Sequence, residues 1–272
     1  MSEEEATSPV MDPSTTWLRG DAIGETANGT LYLGMLAESG DLVTAKCAEI
    51  PQDSSDDDAS SRRIDALKRE GDLLSTLDHK NVVAYKGFEE SSSHYTLFYE
   101  YVAGGSIQSL IKNYAIFEEP LSKNFAKNVL DGLIYLESKG LVHGNLKSDR
   151  VYVDSLGVCK ITDFGEAKTL DEIKGPMTHR VPWVAPEAFA DGGYDCKVDV
   201  WSVGCLIFEM LVGKYPWNDG EDEIKAVLLS IPEDHPLSSS AHEFLKLCFA
   251  IDPADRPTAA ELRKHAWFAS TS

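Results

Sequence analysis

The chain has 272 residues and is 43% hydrophobic, which is more than a small single domain needs and enough to bury a sizeable core. Against 25 Lys and Arg stand 45 Asp and Glu, a formal charge of -20. Such a surface repels phosphate backbones and anionic lipid, so neither nucleic acid nor a membrane is expected as a partner.

The N-terminus, "MSEEEATSPV", is acidic and lacks the basic and apolar regions of a secretory signal. Residues 1–16 read as a disordered lead-in, with Ser8-Pro9 as an ordinary dipeptide. From Trp17 to Glu49 the text is strand-like: "GTLYLGML" and "LVTAKCAEI" are β-rich runs joined by the turn "AESGD". An acidic loop follows, "PQDSSDDDASS", read as a solvated connector, although Ser54 and Ser55 precede aspartates. A helix is expected over Arg62 to Thr76, with Ile64, Leu67, Leu74 and Leu77 along one face. "HYTLFYEYV" is a further strand.

After Val102 the apolar spacing becomes helical, in "GGSIQSLIKN", "LSKNFAKNVLDGLIYLESKG", "VDVWSVGCLIFEMLVG", "EDEIKAVLLS", "SAHEFLKLCFA" and "TAAELRKHAWF". Asp, Ser or Thr stands near many of their starts as a potential cap. The longest apolar run is too short to cross a bilayer and contains Glu209. Cys47, Cys159, Cys196, Cys205 and Cys248 show no metal-knuckle or redox spacing, which favours free thiols in a reducing, cytoplasmic setting. Strands first and helices after predict an α+β protein in two lobes, 17–102 and 103–270.

Seven short motifs follow one another in a telling order. They are "AK" ending at Lys46, "LKREGDLL" with Glu70, "VHGNLKSDRVYV", "ITDFGEAK", "VPWVAPEAF", "DVWSVGC" and "DPADRPTAAEL". Each alone is weak; together and in this order the chain resembles a eukaryotic protein kinase domain over about Trp17 to Phe268. "LDHKNVVAYKGFEE" and "FYEYVAGGSIQSLIKNYAIFEEPL" are similar to the MAP kinase kinase kinase group, MEKK-like and of the STE class. The resemblance implies a bilobal fold with a hinge near Glu100 to Val102 and Tyr99 gating the back pocket.

Carried over position by position, Lys46 matches the lysine that holds the nucleotide phosphates, and Glu70 the glutamate that orients it. Asp163 matches the magnesium-binding aspartate, and Lys147 the catalytic-loop lysine. Glu187 and Arg256 match a buried tie, Asp199 an anchor for the catalytic loop, and His143 and Phe164 with Leu74 an apolar column. Other positions depart from the pattern. Asn145 replaces the catalytic base, and an amide cannot take a proton as a carboxylate does. Gly144 replaces the arginine that receives an activation-loop phosphate. Arg150 replaces the second magnesium ligand and has no lone pair to offer a metal, although it could pair with Asp163. The loop Gly24 to Gly29, "GETANG", carries Thr26 where the family has a middle glycine. Thr44 and Tyr152 stand where small or aliphatic residues would flank the adenine. In the activation segment Arg180 occupies a Ser or Thr position, with Thr178 nearby.

The expectation drawn from these residues is a pseudokinase. It has no catalytic residues at Gly144, Asn145 and Arg150, although Lys147 is retained. Its nucleotide site is vestigial, made of Gly24, Thr26, Gly29, Thr44, Lys46, Glu70, Tyr99, Tyr152 and Asp163, with Asp163 the one metal ligand left. No cofactor is required on this reading, and any ATP binds weakly and without magnesium. The output is regulation or scaffolding of a protein partner, an active kinase of a MAP kinase cascade. The alternative is a weak or unorthodox ATP-dependent Ser/Thr kinase of MAP kinase kinase kinase type, because Lys46, Lys147 and Asp163 remain and positioning alone gives some rate.

Overall fold

A computed structural model describes residues 16–50, 58–177, 183–214, 216 and 237–269. The lead-in 1–15, the connector residues Ser54 and Ser55, Thr178, Arg180 and the segment "EDEIKAVLLS" lie outside the described residues. The chain divides into two compact units, Met1–Tyr101 and Val102–Ser272.

The first unit is an antiparallel sheet with one helix. Its strands are β1 (Trp17–Thr26), β2 (Gly29–Leu36), β3 (Leu42–Glu49), β4 (Tyr85–Glu90) and β5 (His94–Glu100), in the spatial order β1-β2-β3-β5-β4. The alternation in β3 splits its side chains between two faces. Val43, Ala45 and Cys47 enter a core with Phe98, Trp17, Tyr32 and Leu36, whereas Thr44 and Lys46 point the other way. Trp17 packs edge-on to Phe98 at 5.2 Å and donates its indole N–H to Glu89 at 2.8 Å, which ties β1 to the core and to β4.

Helix α1 spans Asp58–Leu74 and lies against β3, β4 and β5. It starts one turn earlier than the apolar spacing predicts, taking Asp58–Ser61 from the expected acidic loop. Asp and Ser suit a helix start, so a polar run can serve as a first turn. Within α1, Gly71 would cost about 1 kcal/mol relative to alanine on propensity alone. A Cβ there would come within 2.9 Å of Leu97 Cδ1, so the glycine lets the helix lie close on β5. That closeness brings its neighbour Glu70 to the sheet.

The second unit is mainly helical. Its helices are α2 (Ile107–Tyr114), α3 (Glu119–Ser138), α4 (Lys197–Val212), α5 (Ser239–Cys248) and α6 (Ala259–Leu262). Two small ribbons accompany them: β6 (Leu141–Val142) with β9 (Lys168–Thr169), and β7 (Val151–Val153) with β8 (Cys159–Ile161). The caps anticipated from sequence are present, with Ser106, Ser238 and Thr258 accepting from the first turns of α2, α5 and α6. Thr258 and Glu261 form a reciprocal capping box. A strand-rich unit followed by a helix-rich unit is the α+β arrangement expected from the sequence.

Helix α4 is buried from Val198 to Leu211, as a helix with apolar residues on every side must be. It carries one charge with a structural task. Asp199 accepts the backbone N–H of His143 at 2.7 Å and of Gly144 at 2.9 Å, so it holds the segment before Asn145 by its main chain. Burial pushes the Asp199 carboxyl above its ordinary range, against the lowering influence of His143 and of these two hydrogen bonds. A second tie closes the unit. Arg256 is fully buried and forks onto Glu187, donates to the carbonyls of Lys197 and Ala250, and lies over Trp201.

Two outcomes follow from this packing. Gly204→Ala places a Cβ 2.6 Å from Cys248 Cβ and 2.8 Å from Phe249 Cε1. Overpacking of this kind costs about 1–3 kcal/mol, so denaturant unfolding should show a lower midpoint with an unchanged slope. Asp199→Asn offers one acceptor oxygen to two buried N–H groups and turns a donor toward one of them. A loss of about 1–3 kcal/mol is expected in the same measurement.

Candidate functional site

Within the first unit, Lys46 Nζ lies 2.8 Å from Glu70 Oε2, and both side chains are almost wholly buried (1% and 0% exposed). The strand alternation delivers Lys46 and the Gly71 contact delivers Glu70. Taking two charges out of water is expensive, and removing one partner of such a pair typically costs about 3–5 kcal/mol. Thr44 shares the Lys46 face and is half-buried. It pairs across the sheet with Leu33 and with Tyr99, which is itself buried.

The hairpin from Gly24 to Gly29 joins β1 to β2. Thr26 turns its hydroxyl back onto Gly29 O at 2.8 Å, so the side chain caps its own hairpin. Gly29 permits no substitute, because a Cβ would meet Cys47 O at 2.4 Å.

Within the second unit, the stretch His143 to Val153 assembles the rest. His143 is buried and stands edge-on to Phe164 at 5.0 Å. Its Nε2 lies 3.0 Å from Thr162 O, while its Nδ1 accepts the Asn145 N–H at 3.3 Å. A carbonyl can only accept, so Nε2 is the donor in the contact to Thr162 O. Gly144 adopts φ +71°, a left-handed conformation where glycine carries no penalty. A Cβ there would come within 3.2 Å of Met177 Cε.

The charged groups form a short chain. Lys147 Nζ pairs with Asp149 Oδ2 at 2.9 Å. Arg150 Nη1 lies 3.9 Å from the same oxygen, and Arg150 Nε lies 2.7 Å from Asp163 Oδ2. The Arg150 Nε–H finds no aligned hydrogen-bond acceptor, so charge rather than hydrogen-bond direction holds this last contact. Asp163 itself takes φ 61°, ψ 72°, which is unusual outside glycine and tolerated best by Asp and Asn. Tyr152 pairs with Lys160 in the β7–β8 ribbon and bridges to Ser106 before α2.

Sequence reasoning passed over two groups here. Asn145 Oδ1 accepts the indole N–H of Trp183 at 3.2 Å, and Lys147 Nζ stands 4.5 Å from the centre of the same ring. Glu209 of α4 is buried, and burial with the repulsion of Asp149 raises its carboxyl above the ordinary range. Trp183 was visible in "VPWVAPE" as part of a motif, but nothing in its spacing points to the catalytic loop.

Magnesium needs oxygen ligands, several of them at close to ideal octahedral geometry. Asp163 has the carboxylate, yet it is ion-paired to Arg150, and Arg150 brings positive charge in place of a ligand. These residues do not fit a two-ion magnesium site.

The protein kinase domain matches residues 17–268. A serine/threonine-protein kinase of Saccharomyces cerevisiae, BCK1/SLK1/SSP31, is 42% identical over 92% of this chain and 18% of its own length. The MAP kinase kinase kinase mkh1 of Schizosaccharomyces pombe is 38% identical over 92% of the chain and 24% of its length. Mitogen-activated protein kinase kinase kinase 2 of Arabidopsis thaliana is 35% identical over 93% of the chain and 41% of its length. The chain thus spans about a fifth to two fifths of these relatives. They overturn the expectation of a chain that is not an enzyme, since proteins named as kinases match it through the whole domain. The expectation weighed Gly144, Asn145 and Arg150 as losses, whereas phosphoryl transfer depends chiefly on positioning and charge, which other residues also supply. By the match of its residues 17–268, the chain belongs to the protein kinase domain family.

Proposed function

We propose that the chain is an ATP-dependent Ser/Thr protein kinase of MAP kinase kinase kinase type, working through an unorthodox catalytic loop. The observation that carries this reading is the buried Lys46–Glu70 pair at 2.8 Å. A buried ion pair is weak evidence for stability, because apolar replacements of similar volume are often as stable. Its presence in a chain that also retains Lys147 and Asp163 therefore favours a role in holding phosphate. The substrate on this reading is a Ser or Thr hydroxyl of a protein kinase in a MAP kinase cascade, as the names of the relatives suggest.

In the reaction, the hydroxyl oxygen bonds to the terminal phosphorus of ATP as the bond to the bridging oxygen breaks, and ADP leaves. Asn145 takes no proton. In a loose transition state the hydroxyl proton is lost late, and a phosphoryl oxygen or water receives it. Lys46, Lys147 and Arg150 supply positive charge to the phosphates, Arg150 from the position where the family places its second metal ligand. ATP accordingly binds weakly and does not require magnesium.

A general base typically contributes about 10²–10⁴ in rate, so turnover should lie that far below the usual kinase range of about 1–100 s⁻¹. Radiolabel transfer from ATP to a MAP kinase kinase protein is the assay, run with magnesium and with EDTA. Slow transfer that disappears in Lys46→Ala is expected, together with a gain in Asn145→Asp. Transfer that survives Lys46→Ala, or no transfer from the wild-type chain, overturns the reading. ATP should also raise the melting temperature in EDTA, because a ligand of the native state must stabilise it. A shift seen with magnesium alone would refute the metal-independent part.

A further inference from the structure

We propose that Trp183 is a positioning residue that sets both Asn145 and Lys147 for phosphoryl transfer, an inference that rests on the kinase reading above. An indole N–H can only donate. Its contact to Asn145 Oδ1 at 3.2 Å therefore decides which way the amide faces. With the oxygen engaged, the NH₂ end of Asn145 is the end presented away from Trp183. The side chain that replaces a catalytic base is thereby made a directed donor, suited to the charge that builds on phosphoryl oxygens.

The same ring acts on Lys147. Its ammonium lies 4.5 Å from the indole centre, within cation–π range, and 2.9 Å from Asp149 Oδ2. Two contacts from different directions hold a side chain that otherwise has four free torsions. The indole is itself anchored from below. Ser202 Oγ of α4 lies 2.7 Å from Trp183 O and 3.2 Å from Val198 O, a hydroxyl shared between two carbonyls. Val184 and Ala185, the next two residues, are buried. The ring is thus fixed by its backbone to α4, the helix whose Asp199 holds His143 and Gly144. One rigid element positions both the loop and the residue that orients the loop's polar ends.

The test uses the full chain and two substitutions. Trp183→Phe keeps a ring and removes the N–H; Trp183→Leu removes both. In the transfer assay Trp183→Phe should lower kcat severalfold and leave the KM for ATP unchanged, as loss of a transition-state contact does. In an Asn145→Ala background the same substitution should cost nothing further, because its partner is already gone. Multiplying losses in the double variant overturn the proposal. The second readout needs no activity: acetylation of Lys147 by an amine-acylating reagent, followed peptide by peptide by mass spectrometry. Trp183→Leu should accelerate it severalfold over wild type, and Trp183→Phe much less. Equal rates in all three proteins overturn the inference even if the wild type transfers phosphate. A wild type that transfers none overturns the kinase reading, and with it the positioning role, whatever the acetylation shows.

Discussion

Asp199 carries a carboxylate into the interior of the helix-rich unit, on a mostly apolar helix that is buried on every side. Isolated there, the charge would be costly, and the cost is offset by the N–H groups of His143 and Gly144, which point at its two oxygens. The exchange benefits both parties. A loop that takes a left-handed turn at Gly144 and cannot join a helix or sheet has its main chain satisfied from below. The placement of His143, Asn145 and Lys147 follows from that anchor. The order from Phe164 to Asp163 follows in turn, through the His143 ring and its contact to Thr162.

On this frame the charges are arranged as a chain, with Lys147, Asp149, Arg150 and Asp163 alternating in sign. In a protein of net charge -20 this stretch is balanced, each of its two cations facing a carboxylate. Arg150 is the member that changes the chemistry. Its guanidinium neutralises Asp163 with a charge that belongs to the chain itself, where a metal would come from solution.

The fold was open to reading because its evidence is local and ordered. Apolar alternation marked β3 and β5, helical spacing marked α3 and α4, and Ser or Thr at the right offsets marked three helix starts. Glu70 and Lys46 were legible as a pair because each sits in its own motif. Trp183 was not, because its contact to Asn145 spans 38 residues and crosses a chain reversal that no periodicity encodes. The inactive reading failed for a related reason. Substitutions at Gly144, Asn145 and Arg150 are conspicuous in a motif, whereas the likeness to named kinases is spread over the whole domain.

By itself the sequence determined the kinase fold and the two-part order of strands and helices, and it marked Lys46 and Glu70 as partners. These rest on residue type and short spacing, which the linear text carries in full. Tertiary structure decided that α1 approaches β5 at Gly71, that Thr26 turns back onto its own hairpin, and that Arg150 lies against Asp163. It also decided which end of the Asn145 amide faces Trp183. These are matters of direction and distance between residues remote in sequence, and only packing on a core, for the loop that of the buried α4 with its Asp199 carboxylate, brings them within reach of one another.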